Sequence, residues 1–176
     1  MDALSRLNAL AAGEAREELS RCCGASRWLE AMVAGRPYAN AEALFAAADR
    51  VASSLTREDW LEAFADHPKI GARDGPRARL ATTRAWAASE QDGVSGAAEA
   101  TAAALVEGNR AYEDRFGYIF IVCATGKSAD EMLALLRARL DNAPDDELPI
   151  AGAEQAKITR IRLEKLLAEA REGVRP

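Results

Sequence analysis

Apolar residues recur along most of this chain at helical spacing. Leu4, Leu7, Leu10, Ala11 and Ala15 form an i, i+3, i+4 stripe. They predict a first helix from about Ala3 to Cys22, weakened at Gly13 and stopped by Gly24. A short helix over Arg27 to Ala34 ends at the breaker cluster Gly35-Arg36-Pro37. Asn40 is a good N-cap, with Glu42 in the first turn and Leu44, Phe45, Ala48 and Val51 along one face. Thr56 caps another start, followed by the stripe Trp60, Leu61, Phe64. From Ala78 to about Asp114 the pattern is helical again, broken near Gly93 to Gly96. Ser128-Ala129-Asp130-Glu131 is a capping box, and Met132, Leu133, Leu135, Leu136 and Leu140 follow it. Asn142 through Pro149 reads as a loop, and a last helix starts near Gly152 to Glu154 and runs to about Glu172.

Two stretches break this pattern. Arg115 to Ala124 is aromatic and β-branched, which by propensity is a buried strand. No second strand exists to pair with it, and buried backbone groups need partners. The expectation is a buried extended piece or a helix formed against propensity. In the last helix, with Ile158 placed at about 0°, Leu166 falls near 80° and Arg162 near 40°. Arg162 therefore points into the apolar arc. A buried guanidinium is costly unless it meets an anion. Arg162 either snorkels or makes an internal ion pair, or it anchors an anionic substrate.

The fold class expected is all-α: a single domain over residues 1–176, a bundle of about seven to nine helices. A length of 176 residues suits one domain with a real core. Aromatics at 6% also favour helices over sheets. The formal charge of −5 argues against a nucleic-acid partner. No apolar run approaches the length of a membrane span, and the N-terminus lacks the pattern of a signal peptide. Cys22, Cys23 and Cys123 form neither a disulfide framework nor a C-x-x-C pair, so they read as reduced thiols of a cytoplasmic protein.

Histidine occurs once, at His67. That excludes any site needing two imidazoles, so no metal site is expected, and it routes all imidazole acid–base chemistry through one residue. Pro68 pushes His67 out of helical conformation, and Gly71 and Gly75 permit tight turns. The histidine is thus either an idle helix-end residue or a catalytic group on a constrained loop. Ala87, Glu90 and Gln91 share one helical face. Glu90 is either a solvated carboxylate or the partner that orients a histidine and raises its pKa. Gly126-Lys127-Ser128 is not a phosphate loop, since position 121 is Ile where that motif needs Gly. Cys123, within an apolar run, reads as an inert core thiol.

One ordered set of motifs spans nearly the whole chain. It comprises Leu7-Asn8-Ala9-Leu10, Arg36-Pro37-Tyr38, His67-Pro68-Lys69-Ile70-Gly71, Glu90-Gln91 and Arg115 through Ile121. Ala124-Thr125-Gly126-Lys127-Ser128 and Ile158-Thr159-Arg160-Ile161-Arg162-Leu163 complete it. The set resembles the 2-oxo-4-hydroxy-4-carboxy-5-ureidoimidazoline (OHCU) decarboxylases of urate degradation. The resemblance implies an all-helical, cofactor-free homodimer that forms (S)-allantoin from a ureidoimidazoline. It implies His67 as the acid–base residue with Glu90 orienting it. It also implies substrate contacts at Pro68, at Ala87, Ala88, Ser89 and Gln91, at the backbone of Phe120, Ile121, Val122, Cys123 and Ala124, and at Arg162.

One position departs from that pattern. The family commonly has S-x-x-E-Q, whereas this chain has Ala87. Ser89 would face about 200° away and is a poor substitute. The missing hydroxyl is worth about 0.5–1.5 kcal/mol of binding. It keeps open a paralogue of the same fold acting on a related ureide. A non-catalytic helical binding module is the other alternative.

Overall fold

The computed structural model describes residues 2–65, 67 and 96–172. Its architecture is all-α. Among the described residues there are eight helices and no strand: α1 (Ala3–Ala9), α2 (Ala12–Ser20), α3 (Ser26–Ala34), α4 (Ala41–Ala52), α5 (Arg57–Ala65), α6 (Gly96–Phe116), α7 (Ala129–Leu140) and α8 (Pro144–Glu172). They fall into two compact units, Met1–Asp66 with Gly152–Pro176, and His67–Ala151.

In the first unit the predicted helix from Ala3 to Cys22 is two helices. The break lies at Leu10 and Ala11, both extended, and not at Gly13. An unbroken helix would pair Ala11 N–H with the Leu7 carbonyl. Instead Ala11 N–H donates to Glu14 Oε2 at 3.1 Å. The Leu7 and Leu10 carbonyls accept from the Arg36 guanidinium at 2.7 and 2.8 Å. Arg36 also donates to Val33 O at 3.2 Å, so it satisfies orphan carbonyls at the ends of two helices. Asn8 and Tyr38 exchange two backbone–side-chain hydrogen bonds at 2.9 Å each, and Tyr38 Oη donates to Met32 O at 2.7 Å. The first two motifs of the ordered set are therefore one clasp.

The caps read from sequence hold. Asn40 accepts from Ala43 N at 2.8 Å, and Thr56 and Asp59 bond reciprocally. Glu62 of α5 reaches the start of α3, accepting from Ser26 N at 2.9 Å and Ser26 Oγ at 2.6 Å. Leu19, Trp28, Met32, Leu44, Phe64 and Leu163 are fully buried.

In the second unit α6 buries Leu105, Asn109, Tyr112 and Phe116, and α7 buries Met132, Leu133, Leu136 and Arg139. The predicted capping box at Ser128 and Glu131 is present, with bonds of 3.2 and 2.7 Å. The predicted loop from Asn142 to Pro149 is instead the start of α8. Pro144 takes the first helical position and Asp145, Asp146 and Glu147 fill the first turn, where both are favourable. Pro149 removes only the bond to the carbonyl of Asp145, an exposed residue. Glu147 is anchored in the interior, and that holds the turn.

Candidate functional site

The stretch between α6 and α7 carries the most unusual backbone of the chain. Gly117 ends α6 with φ of 79°, and its N–H donates to Glu113 O at 2.8 Å. This left-handed position strongly favours glycine. At the other end Lys127 N–H bonds Ala124 O at 3.0 Å, closing a turn whose third residue, Gly126, has φ of 77°. Between the two glycines the chain is neither helix nor strand. Tyr118, Ile119, Phe120, Ile121 and Cys123 are buried, and Val122 and Ala124 are half-buried. Of the two expectations for this stretch, the helix is the one the structure rules out, since Tyr118 to Ala124 is non-helical backbone.

Side chains do the work that a sheet would do. Phe120 N–H donates to Asn109 Oδ1 at 3.0 Å. The Ile121 carbonyl accepts from Arg139 at 2.8 Å, and the Cys123 carbonyl from Lys127 Nζ at 2.7 Å. Among the described residues, the N–H groups of Ile121, Val122 and Ala124 meet no acceptor. Leaving a buried donor unmet costs about 1–3 kcal/mol, so such groups are natural places for a ligand.

Arg139 is held in turn. It is 7% exposed and donates from Nε to Glu147 Oε1 at 2.7 Å, and Glu147 is completely buried. Tyr112 Oη donates to the same carboxylate oxygen, and Asn142 Nδ2 donates to the other at 2.7 Å. Burial, and then the hydrogen bond to Glu147, push the Tyr112 phenol far above its ordinary range. It is a fixed donor and not a proton carrier. The Arg139 guanidinium also lies 4.7 Å from the Phe120 ring centroid, and Tyr112 packs edge-on to Phe120 at 5.2 Å.

The other predicted residues are distributed as follows. His67 is half-buried at a bend just beyond α5 and belongs to the same compact unit as the stretch above. Glu90, Pro68, Ala87, Ala88, Ser89 and Gln91 lie outside the described residues. Arg162 belongs to the first unit and is half-buried. The buried face of α8 in that unit is Gly152, Gln155, Thr159, Leu163 and Leu166, and Ile158 is only half-buried. The true arc is centred near 100° on the scale used above, which puts Arg162 at its edge and not inside it. Arg162 donates to Cys22 O at 3.4 Å. It lines an open depression of about 120 Å³ together with Arg21, Cys22, Lys165 and Leu166. Three cationic side chains border that opening, of which Arg21 is paired with Glu18 at 3.2 Å.

The three cysteines are free and buried, and burial raises the Cys23 thiol. A cleft beside Cys23, Trp28, Trp60 and Leu163 leaves about 10 Å³ of free space, barely one water, and is a packing seam. No group of three or more His, Cys, Asp or Glu able to hold a metal occurs among the described residues.

Asn109, Arg139 and Glu147 were not among the residues singled out from sequence. A signal existed for two of them. Asn109 interrupts the stripe Leu105, Tyr112, Phe116, and Arg139 lies seven residues after Met132, on the same face of α7.

The family model described as OHCU decarboxylase matches residues 8–164. The chain is 35% identical over 153 residues to the uric acid degradation bifunctional protein TTL of Arabidopsis thaliana, covering 87% of this chain but only 47% of that protein. It thus spans about half the length of that relative. It is 31% identical over 137 residues to the 2-oxo-4-hydroxy-4-carboxy-5-ureidoimidazoline decarboxylase of Amia calva, covering 78% of each. A crystal structure of OHCU decarboxylase in the presence of (S)-allantoin superposes with a TM-score of 0.70 at 33% identity, covering 86% of this chain and 98% of that one.

Proposed function

This chain belongs to the OHCU decarboxylase family, and from that premise we propose that it decarboxylates 2-oxo-4-hydroxy-4-carboxy-5-ureidoimidazoline to (S)-allantoin in urate degradation. The observation that brings the reading down to particular residues is the stretch Phe120–Ala124. It is largely buried, non-repetitive backbone pinned by three side chains, and among the described residues the amides of Ile121, Val122 and Ala124 meet no acceptor.

The chemistry suits such a site. The carbon–carboxylate bond breaks and CO2 leaves. The electron pair passes into the adjacent ring C=N, so the substrate supplies its own sink and no cofactor is required. The ring nitrogen gains a proton, and the hydroxyl releases its own as its carbon becomes the carbonyl. A proton delivered to one face of the carbon bearing the ureido group gives the (S) product, one proton being taken up overall. In this reading Arg162, the amides of Ile121, Val122 and Ala124, and the backbone around Cys123 hold the polar ureido and ring groups. Phe120 contributes its ring and its place in the chain, since its N–H is already given to Asn109. His67 moves the proton on the substrate hydroxyl or the ring carbon, and Glu90 orients His67. Pro68, Ala87, Ala88, Ser89 and Gln91 complete the substrate contacts.

Residues 1–176 then act as one catalytic domain, a cytoplasmic homodimer. The family resemblance supports the dimer, and the free cysteines support a reducing compartment. No described helix is long and apolar enough to cross a membrane. Ala87, where the family commonly has Ser, favours one second reading: a related ureide as the preferred substrate.

The deciding experiment is circular dichroism of freshly generated OHCU with and without the protein. Spontaneous decay gives racemic allantoin and little final signal. Rapid growth of the (S)-allantoin signal, reduced at least about a hundredfold in rate in His67→Ala, is the expected result. No acceleration over the blank would reject the activity and move attention to related ureides. Wild-type turnover by His67→Ala would reject the acid–base role.

A further inference from the structure

We infer that Asn109, Lys127 and Arg139 are positioning residues for substrate binding: together they set the backbone of Phe120–Ala124 so that its unengaged amides face substrate already ordered. The inference rests on the reading above that this stretch touches substrate. None of the three belongs to the site derived from sequence.

Each side chain takes one backbone group: Asn109 the Phe120 N–H, Arg139 the Ile121 carbonyl, Lys127 the Cys123 carbonyl. Three attachment points within four residues leave little freedom to the peptide planes between them. The points themselves are fixed. Asn109 is buried in the middle of α6. Arg139 is locked by Glu147, which also receives Tyr112 and Asn142. Lys127 is tied back by the turn through Gly126. A stretch held this way loses little entropy when substrate binds, whereas a loosened one must be ordered at that moment. A contact made equally to ground state and transition state shows in KM and not in kcat. The signature of this role is therefore a KM effect without loss of fold.

The test uses Asn109→Ala, Lys127→Met and the conservative Lys127→Arg, with thermal unfolding to establish the fold. Lys127 is only half-buried, so its variants decide the matter even where Asn109→Ala does not fold. In Asn109→Ala and Lys127→Met, KM for OHCU is expected to rise about tenfold with kcat within about twofold. The amide NMR shifts of Ile121, Val122 and Ala124 on titration with (S)-allantoin should weaken in the same variants. Lys127→Arg, which keeps a donor for the Cys123 carbonyl, should restore wild-type KM. Wild-type KM and wild-type allantoin shifts in folded Lys127→Met would overturn the inference. His67→Ala, assayed alongside, separates the two layers. An active His67→Ala would bring down the acid–base role alone, whereas wild-type amides that ignore saturating (S)-allantoin would bring down the site reading and this inference with it. An inactive His67→Ala, responsive amides and an unaffected Lys127→Met would bring down this inference alone.

Discussion

The two compact units treat charge in opposite ways. In His67–Ala151, Arg139 and Glu147 are taken fully inside and paired, with Tyr112 and Asn142 completing the carboxylate. In the unit formed by Met1–Asp66 and Gly152–Pro176, charged groups stay at the rim. Arg36 serves helix-end carbonyls, Glu62 caps α3, and Arg162 opens onto a depression shared with Arg21 and Lys165. The contrast separates two arginines that a sequence pattern treats alike. Arg139 is neutralised by a carboxylate of its own chain, so it can hold backbone but cannot bind a free anion. Arg162 lines an open depression beside Lys165, and it is there that the proposed function gives it an external anion.

The largest effect should come from breaking the interior pair. Arg139→Met leaves Glu147 buried without its cation, which costs about 3–5 kcal/mol. Urea denaturation should show that loss, and Arg139→Met/Glu147→Leu should recover part of it, because the uncompensated charge is then gone. A loss below about 1 kcal/mol in the single variant would mean that the pair is solvated, and the contrast between the units would collapse.

Next in size is the glycine that opens the pinned stretch. Gly117→Ala places a Cβ at φ of 79°, where nothing lies within 4 Å to clash, so the cost is conformational alone. That is about 1–2 kcal/mol. It should appear as a lowered denaturation midpoint with an unchanged urea slope.

These positions show what was legible in the sequence. Helix existence, and the caps at Asn40, Thr56 and Ser128, depend on residues three or four apart, and they were readable. The break at Leu10–Ala11 was not, because the group that ends α1 is Arg36, 29 residues from Leu7. The start of α8 at Pro144 was hidden for a related reason. Two prolines and three acids read as loop until the buried partner of Glu147 is known. The stretch Phe120–Ala124 was legible as an anomaly, but its resolution by Asn109 and Arg139 required tertiary structure. A helical wheel with Ile158 at 0° and Leu166 near 80° puts Arg162 inside the apolar arc, whereas α8 turns Thr159 and Leu163 inward. His67 was the easiest residue to find, since there is only one.

Arg162→Met should reverse the pattern of Arg139→Met. Arg162 is half-buried at the edge of its arc, and Met keeps most of the apolar stem, so stability should change by less than about 1 kcal/mol. Losing a charge-assisted contact to an anionic substrate should lower kcat/KM about ten- to a hundredfold. Steady-state assays paired with thermal melts check both halves. A strongly destabilised but catalytically competent Arg162→Met would exchange the roles assigned to the two arginines.

The smallest effect concerns the rim carboxylates. The hydroxyl and backbone N–H of Ser26 hold Glu62 below its ordinary value of 4.5, the hydroxyl bond being the larger cause. A carboxylate lowered in the folded state binds fewer protons there than in the unfolded chain. Its contribution is therefore complete above 4.5 and drains away as the pH falls through the lower folded value. Glu62 is exposed, so solvent screening keeps the contribution small. Glu62→Gln keeps an acceptor for Ser26 but does not titrate. Between about pH 6 and about pH 3 its unfolding free energy should fall less steeply than that of the wild type, and the two curves should converge at the acid end. Parallel curves over that range would mean that the Ser26 contact is equally strong to acid and carboxylate. Charge at the rim of the first unit would then add nothing to its stability, and the difference between the units would rest on the interior pair alone.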